Sequence, residues 1–345
     1  MSLVLSAAAS DWDRAVKLYN EADYRAALTE FQDIIHERPD AASAWYYIGL
    51  CEFKLKRYDR VEAPLTRAID LMQIQSPASA EIAGAHYTIG ISHFLRSDYA
   101  RAVEPLRRYI DLMAKARRDI DPSARTALGR SYYALERWEE ALPLLSADKS
   151  KEGSANLYYA AAIYFKREDD DRTISTLKEA LRANSEDAAS LDLLAESLLR
   201  KARKTNSAPL WTEAAQAGEQ LRKIRDDLRT ANLLGRAYLG AKQFDKAVAP
   251  FEKMAKAEPE NGQSWLLYGI ALSRSGQMRR AMEALEITIQ LIPTSVPALT
   301  ELAYVYESDK QYQQALKIYE KAYAVTGDPA IKESLERVRA LASQP

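Results

Sequence analysis

Apolar and small residues along this chain follow a helical spacing within segments, and the segments themselves return about every 34 residues. A small residue stands at Ala15, Gly49, Gly90, Gly129, Ala161, Ala195, Gly235, Gly269 and Ala303, at successive spacings of 34, 41, 39, 32, 34, 40, 34 and 34. Twelve positions after each comes a second one: Ala27, Val61, Ala102, Ala141, Thr173, Ala247, Ala281 and Ala315. The sixth unit alone departs, with Ala214 following an insertion at 204–209 that predicts an enlarged turn. Two helices approach closely where small side chains occupy the crossing, so the pairing predicts tight helical hairpins with the small residues meeting. With 12 Gly, 13 Pro and no alternating β-branched run, the chain predicts an all-α protein.

The pattern is specific enough to carry a resemblance. Trp265, Tyr268, Gly269, Leu272, Gly276, Ala281, Leu285 and Pro293 fall in one unit. Leu234, Gly235, Tyr238, Phe244, Ala247, Phe251 and Pro259 repeat the spacing, as do Ala15, Ala22, Tyr24, Ala27, Phe31 and Pro39. On these residues the chain resembles the tetratricopeptide repeat family. The resemblance implies an all-α, right-handed α-solenoid superhelix of about nine helix-turn-helix repeats, spanning 8–41, 42–82, 83–121, 122–153, 154–187, 188–227, 228–261, 262–295 and 296–327. Residues 328–345 read as a capping helix and tail, because Asp328 precedes Pro329 at a helix start. Residues 1–7 read as a frayed start or a signal remnant. The apolar-then-small run Leu3 to Ser10 resembles the end of a secretory leader without its basic region, which favours an exported, periplasmic location over a cytoplasmic one.

Charge and candidate chemistry narrow the function. Lys plus Arg number 48 against 49 Asp plus Glu, so the chain lacks the basic surplus of a nucleic-acid binder. No apolar stretch approaches the length of a membrane span. Cys51, the single cysteine, reads as a small buried apolar residue. His86 and His93 share one helix face without converging ligands, and no nucleophile elbow or phosphate loop is present. Neither enzyme activity nor a metal or cofactor is expected. The acidic run Glu168-Asp169-Asp170-Asp171, at a turn where other units carry Tyr or Trp, lacks calcium-loop spacing and reads as a solvated helix start. Pro64, Pro105, Pro143 and Pro250 fall within second helices and read as tolerated bends on the outer side. Long links at 73–80 and 114–121 flank the third unit.

The resemblance also implies which positions face the inner groove: three before and one after each first-helix small residue. The first set includes Trp12, Tyr46, Tyr87, Tyr158, Asp192 and Asn232, and the second Arg130, Glu196, Arg236 and Tyr304. One turn further stand Tyr19, Phe53, Phe94, Tyr133 and Phe165, of which the three phenylalanines read as core. The groove is thus aromatic before Phe165 and polar after Asp192, with Asn232 and Arg236 one turn apart and able to hold a carboxylate or carbonyl. Rigid rings suit an extended or helical peptide with apolar anchors. The Lys/Asn/Arg clamp by which some family members grip chaperone tails is not reproduced.

The reading is a non-enzymatic scaffold, favoured as a monomer, that captures a protein or peptide partner through Trp12, Tyr46, Tyr87, Arg130, Tyr158, Asp192, Asn232, Arg236 and Tyr304. The rivals are a bacterial envelope component using its outer face or repeat edges, and a regulatory domain cut from a larger protein.

Overall fold

The computed structural model describes residues 2–147 and 153–343, and for residues 2–10 the backbone alone. These residues form nineteen α-helices and no strand. They pair as α1 (Ser2–Asn20) with α2 (Tyr24–Glu37), α3 (Ala42–Lys54) with α4 (Glu62–Gln75), α5 (Ala80–Leu95) with α6 (Tyr99–Lys115), and α7 (Pro122–Ala134) with α8 (Trp138–Leu145). After α9 (Ser154–Lys166) and α10 (Asp170–Ala183) come α11 (Ala188–Thr205) with α12 (Ala208–Ile224) and α13 (Leu228–Gly240) with α14 (Phe244–Ala257). The series closes with α15 (Gly262–Arg274) and α16 (Met278–Leu291), α17 (Val296–Ser308) and α18 (Tyr312–Thr326), and α19 (Pro329–Ala342). Asp148 and Lys149, where the fourth unit lacks a closing proline, lie outside the described residues.

The chain forms two compact units, Met1–Ile163 and Tyr164–Pro345. Within each, hairpins stack so that a first helix touches its own second helix and the next first helix, as α5 touches α6 and α7, and α11 touches α12 and α13. Each is a segment of all-α solenoid.

One local device closes most hairpins. Ala22, Lys56, Ser97, Glu136, Glu168, Lys242 and Lys310 adopt left-handed φ of 57–63°, and Gly276 takes the same place at 79°. The N–H of the next residue then reaches the carbonyl five positions back, as Arg57 does to Glu52 and Asp98 to His93, both at 2.9 Å. This is the bond pair that satisfies orphan carbonyls at a helix end. Asp23, Asp98 and Asp169 then cap the second helix by accepting from Ala26, Arg101 and Arg172.

The next residue is usually aromatic, and it packs on a ring in the last turn of the first helix: Tyr24 on Tyr19 (5.4 Å), Tyr58 on Phe53 (5.5 Å) and Tyr99 on Phe94 (6.0 Å). Tyr19, Phe53 and Phe94 are half-buried turn staples.

The fifth turn solves the same problem differently. Asp170 is not solvated, as the acidic run suggested, but only 7% exposed. Arg200 of α11 lies 3.8 Å over the Phe165 ring, bonds Asp170 at 2.6 Å and donates to the Phe165 carbonyl. A guanidinium thus stands where other turns place a ring.

The small residues act otherwise than by meeting each other. A Cβ on Gly90 would fall 2.6 Å from Leu106, on Gly235 2.5 Å from Phe251, and on Gly269 2.7 Å from Leu285; Gly49 faces Leu65 in the same way. Each first-helix hole therefore receives a large side chain sixteen positions later, one turn beyond the second-helix alanine. Phe31, Leu65, Leu106, Leu145, Phe251 and Leu285 are those knobs, and all are fully buried.

Two further expectations are corrected. The insertion at 204–209 does not enlarge a loop: α11 runs to Thr205, Asn206 turns the chain at φ 49°, and α12 begins at Ala208 with Pro209 in its first turn. The extra residues lengthen both helices. Nor are the prolines uniformly outer, since Pro64 and Pro250 are buried while Pro143 is exposed. Pro64 also costs no helical bond, because a 3-10 turn (Tyr58–Arg60) precedes α4 and places it in the first turn.

Candidate functional site

In the first unit the first helices present several groups of packed rings. Trp12 meets Phe31 and Tyr47 edge-on at 5.5 and 5.8 Å, and Tyr47 stacks on Phe31 at 4.9 Å. Tyr46 contacts Tyr47 at 5.8 Å, and its hydroxyl lies so close to Gly84 that a Cβ there would be 2.5 Å away. Burial pushes the Tyr46 hydroxyl up to about 12. Tyr87 packs on Tyr109 at 5.1 Å, and Tyr158 and Tyr133 meet Tyr159 at 5.4 and 5.0 Å. Trp12, Tyr46, Tyr87 and Tyr158 are all half-buried, so each commits part of its ring to a neighbour and leaves part in solvent.

Tyr47 and Tyr159, two positions before the small residues, hold these rings in place, and the sequence reading missed both. The doublets Tyr46-Tyr47 and Tyr158-Tyr159 were the available signal: on a helix, adjacent residues diverge by about 100°, so one ring packs and the other faces out.

Arg130 sits among these rings under unusual restraint. Its Nε donates to Asn156 Oδ1 at 3.1 Å, Asn156 Nδ2 donates to Thr126 at 2.7 Å, and the guanidinium lies 4.8 Å over Tyr159. Asn156 is buried, which fixes the anchor. Among the described residues no carboxylate pairs with Arg130, so its terminal nitrogens stay available.

The second unit uses the equivalent positions differently. Asp192, 9% exposed, accepts from Arg225 at 2.5 Å and from Arg229 Nε at 2.8 Å. Burial pushes its carboxyl up, but hydrogen bonds and charge from Arg229 and Arg225 outweigh this and hold it below its ordinary range. Arg236 bonds Glu196 at 3.4 Å and Asn232 at 3.3 Å. Asn232 and Arg236 are therefore brought together, as the spacing implied, but around an internal carboxylate. Tyr304, 40% exposed, carries Arg274 at 5.3 Å over its ring, and Arg274 also pairs with Glu301.

His93 is buried between Glu62 (3.3 Å) and Asp98 (3.8 Å), while burial pushes the half-buried His86 down. Cys51 is fully buried and its thiol is pushed up to about 12. Among the described residues no group of His, Cys, Asp or Glu is arranged to hold a metal, and no helix is long and apolar enough to cross a membrane.

Comparison with known proteins agrees with this architecture. Residues 13–80 match the tetratricopeptide repeat family, and residues 240–322 match the family of anaphase-promoting complex, cyclosome, subunit 3. These two matches support a tetratricopeptide repeat protein. Among curated proteins, the chicken (Gallus gallus) DnaJ homolog subfamily C member 3 is 22% identical over 209 residues, covering 58% of this chain and 36% of that protein's length. Among solved structures, YrrB, described as a TPR protein with an unusual peptide-binding site, shares 14% identity at a TM-score of 0.49, covering 58% of this chain and 97% of its own. The C-terminal part of a TPR repeat-containing protein from Cytophaga hutchinsonii shares 18% at 0.48, covering 72% and 99%. The fold is that of a protein-interaction scaffold.

Proposed function

We propose that this scaffold binds a partner's peptide or helix along the inner face of its first unit, with apolar side chains of the partner on Trp12, Tyr46, Tyr87 and Tyr158 and a carboxylate on Arg130. The observation that carries this reading is Arg130: a guanidinium aligned by Asn156 and Tyr159 that pairs with no carboxylate among the described residues. A side chain held in this way loses little entropy on binding, so its hydrogen bonds count more fully toward affinity. The second unit supports the contrast, since Arg229, Arg225 and Arg236 already hold Asp192 and Glu196. There Asp192, Asn232 and Arg236 organise the frame, and Tyr304 offers a separate exposed ring. No covalent chemistry is assigned to the face.

The test uses partners captured from the native source and measured by calorimetry. Tyr46→Ala and Tyr87→Ala should each weaken binding about tenfold, near 1.4 kcal/mol, and Arg130→Gln should weaken it while flattening its salt dependence. Unchanged affinity in all three variants sinks the assignment to this face. Loss of binding in outer-face variants instead would favour a scaffold that works through its convex side.

A further inference from the structure

A second surface lies where the two long links that flank the third hairpin come together. The 73–80 link and the C-terminal end of α6 enclose a cleft of about 340 Å³, walled by Pro77, Ile82, Leu112 and Met113 and rimmed by Lys115 and Arg118. Ile74, in the last turn of α4, is 84% exposed, the most exposed of the large apolar residues described.

The rim is basic and fixed. Lys115, Arg117 and Arg118 are exposed, and among the described residues none forms an ion pair; the carboxylates of the same link are Asp119 and Asp121. Arg117 adopts a left-handed φ of 52°, and the N–H groups of Arg117 and Arg118 bond back to Ala114 and Met113 at 3.1 and 3.0 Å. The turn that carries the cations is therefore a closed helix cap and not a floppy tether. Beyond it, the Asp121 N–H donates to Tyr109 Oη at 3.2 Å, tying the far end of the link to the core.

We propose that this cleft is a second docking site, for a short extended segment of a protein partner in which one or two apolar side chains are flanked by carboxylates. The volume lies at the lower end of the range for small binding sites, roughly 300–1,000 Å³, and admits side chains, not a folded domain. The apolar wall takes the anchor, and Lys115, Arg117 and Arg118 take the flanking charges. Complementary charge of this kind chiefly sets encounter rate and selectivity, so binding should be strongly salt-dependent.

Two labelled ten-residue peptides test it, one with leucines flanked by glutamates and one with the glutamates replaced by lysines. The full chain carries ¹³C-methyl methionine. The acidic peptide should shift the Met113 resonance, and the basic one should leave it in place. Lys115→Glu with Arg118→Glu, both exposed, should weaken the acidic peptide at least fivefold by fluorescence anisotropy. Trp12→Ala with Tyr158→Ala, at residues outside the clusters that wall the cleft, should leave the Met113 shift intact, which separates this site from the inner face. An unmoved Met113 resonance, or equal shifts from both peptides, overturns the proposal. So does a self-association that the charge reversal abolishes, because the occupant would then be a second copy of the chain.

Discussion

The two units build the same hairpin and finish it with different chemistry. In the first, neighbouring first helices are joined by rings: Tyr47 on Trp12 and Tyr19, and Tyr159 on Tyr133. In the second they are joined by charges: Asp192 with Arg229, Glu196 with Arg236, Glu301 with Arg274, and Glu307 of α17 with Arg337 of α19. Rings that pack against rings still offer an outer edge to a partner. Charges that neutralise each other offer less, so the difference in frame becomes a difference in what remains available for binding.

The largest expected effect comes from removing a ring that joins helices. Tyr47→Ala should destabilise the first unit by about 3 kcal/mol, because a large aromatic contact and its cavity are lost together. Hydrogen exchange followed by mass spectrometry should show faster opening of α1 to α4 and unchanged protection in α13 to α16. In the second unit, Asp192→Ala should cost about 2 kcal/mol, less than a fully buried pair would, because the Arg229 side chain is 60% exposed and can rehydrate. Equal effects of either variant on both units would remove the distinction.

Acid and salt sharpen it further. The Asp192 carboxyl has its folded pKa below its unfolded one, so its contribution is present above the unfolded value and is lost as pH falls through the folded one. Glu252 and Asp227, also lowered and also in the second unit, act in the same direction. In the first unit Glu140 is lowered too, by its hydrogen bond to Arg137, but it is fully exposed and contributes little, so lowering pH from 5 to 3 should loosen the second unit before the first. Alkali should not discriminate. Tyr19 and Tyr46 in the first unit and Tyr306 and Tyr319 in the second are all pushed up to about 12, and their stabilisation is lost as pH rises from 10 through that value. Raising salt from 0.05 to 1 M should weaken the second unit by about 1 kcal/mol and leave the first nearly unchanged.

The smallest effect tests what the units share. Lys56→Gly and Lys242→Gly each relieve a left-handed backbone at a hairpin turn, and each should stabilise its own unit by about 1 kcal/mol in thermal melts. A destabilisation would mean that these side chains do more than tolerate the turn.

The frame was legible because its rules are local. Small residues at fixed spacing and turn aromatics specify a hairpin within one stretch of chain, so an all-α repeat fold can be read from short segments. The knob entering each hole was less legible, because Leu65 and Leu106 are ordinary leucines until the crossing geometry is known. The candidate binding positions were read by register, and register alone does not distinguish an arginine with no carboxylate partner among the described residues from one already paired. Arg130 and Arg236 look alike in sequence. What separates them is Asn156 on one side and Glu196 on the other, each on a neighbouring helix. The substitution of Arg200 for a missing turn aromatic was likewise unreadable, since its partner Asp170 lies 30 positions away and resembled surface charge.

Cys51 turns the ring-joined unit into its own clock. A thiol that is wholly covered and pushed up to about 12 reacts with an aqueous disulfide reagent only while α3 is open. Its labelling rate, divided by that of a freely accessible thiol, therefore reports how often the first unit opens in the native state. Partner binding on the rings would slow that clock, so occupancy of the face could be timed without labelling the partner at all.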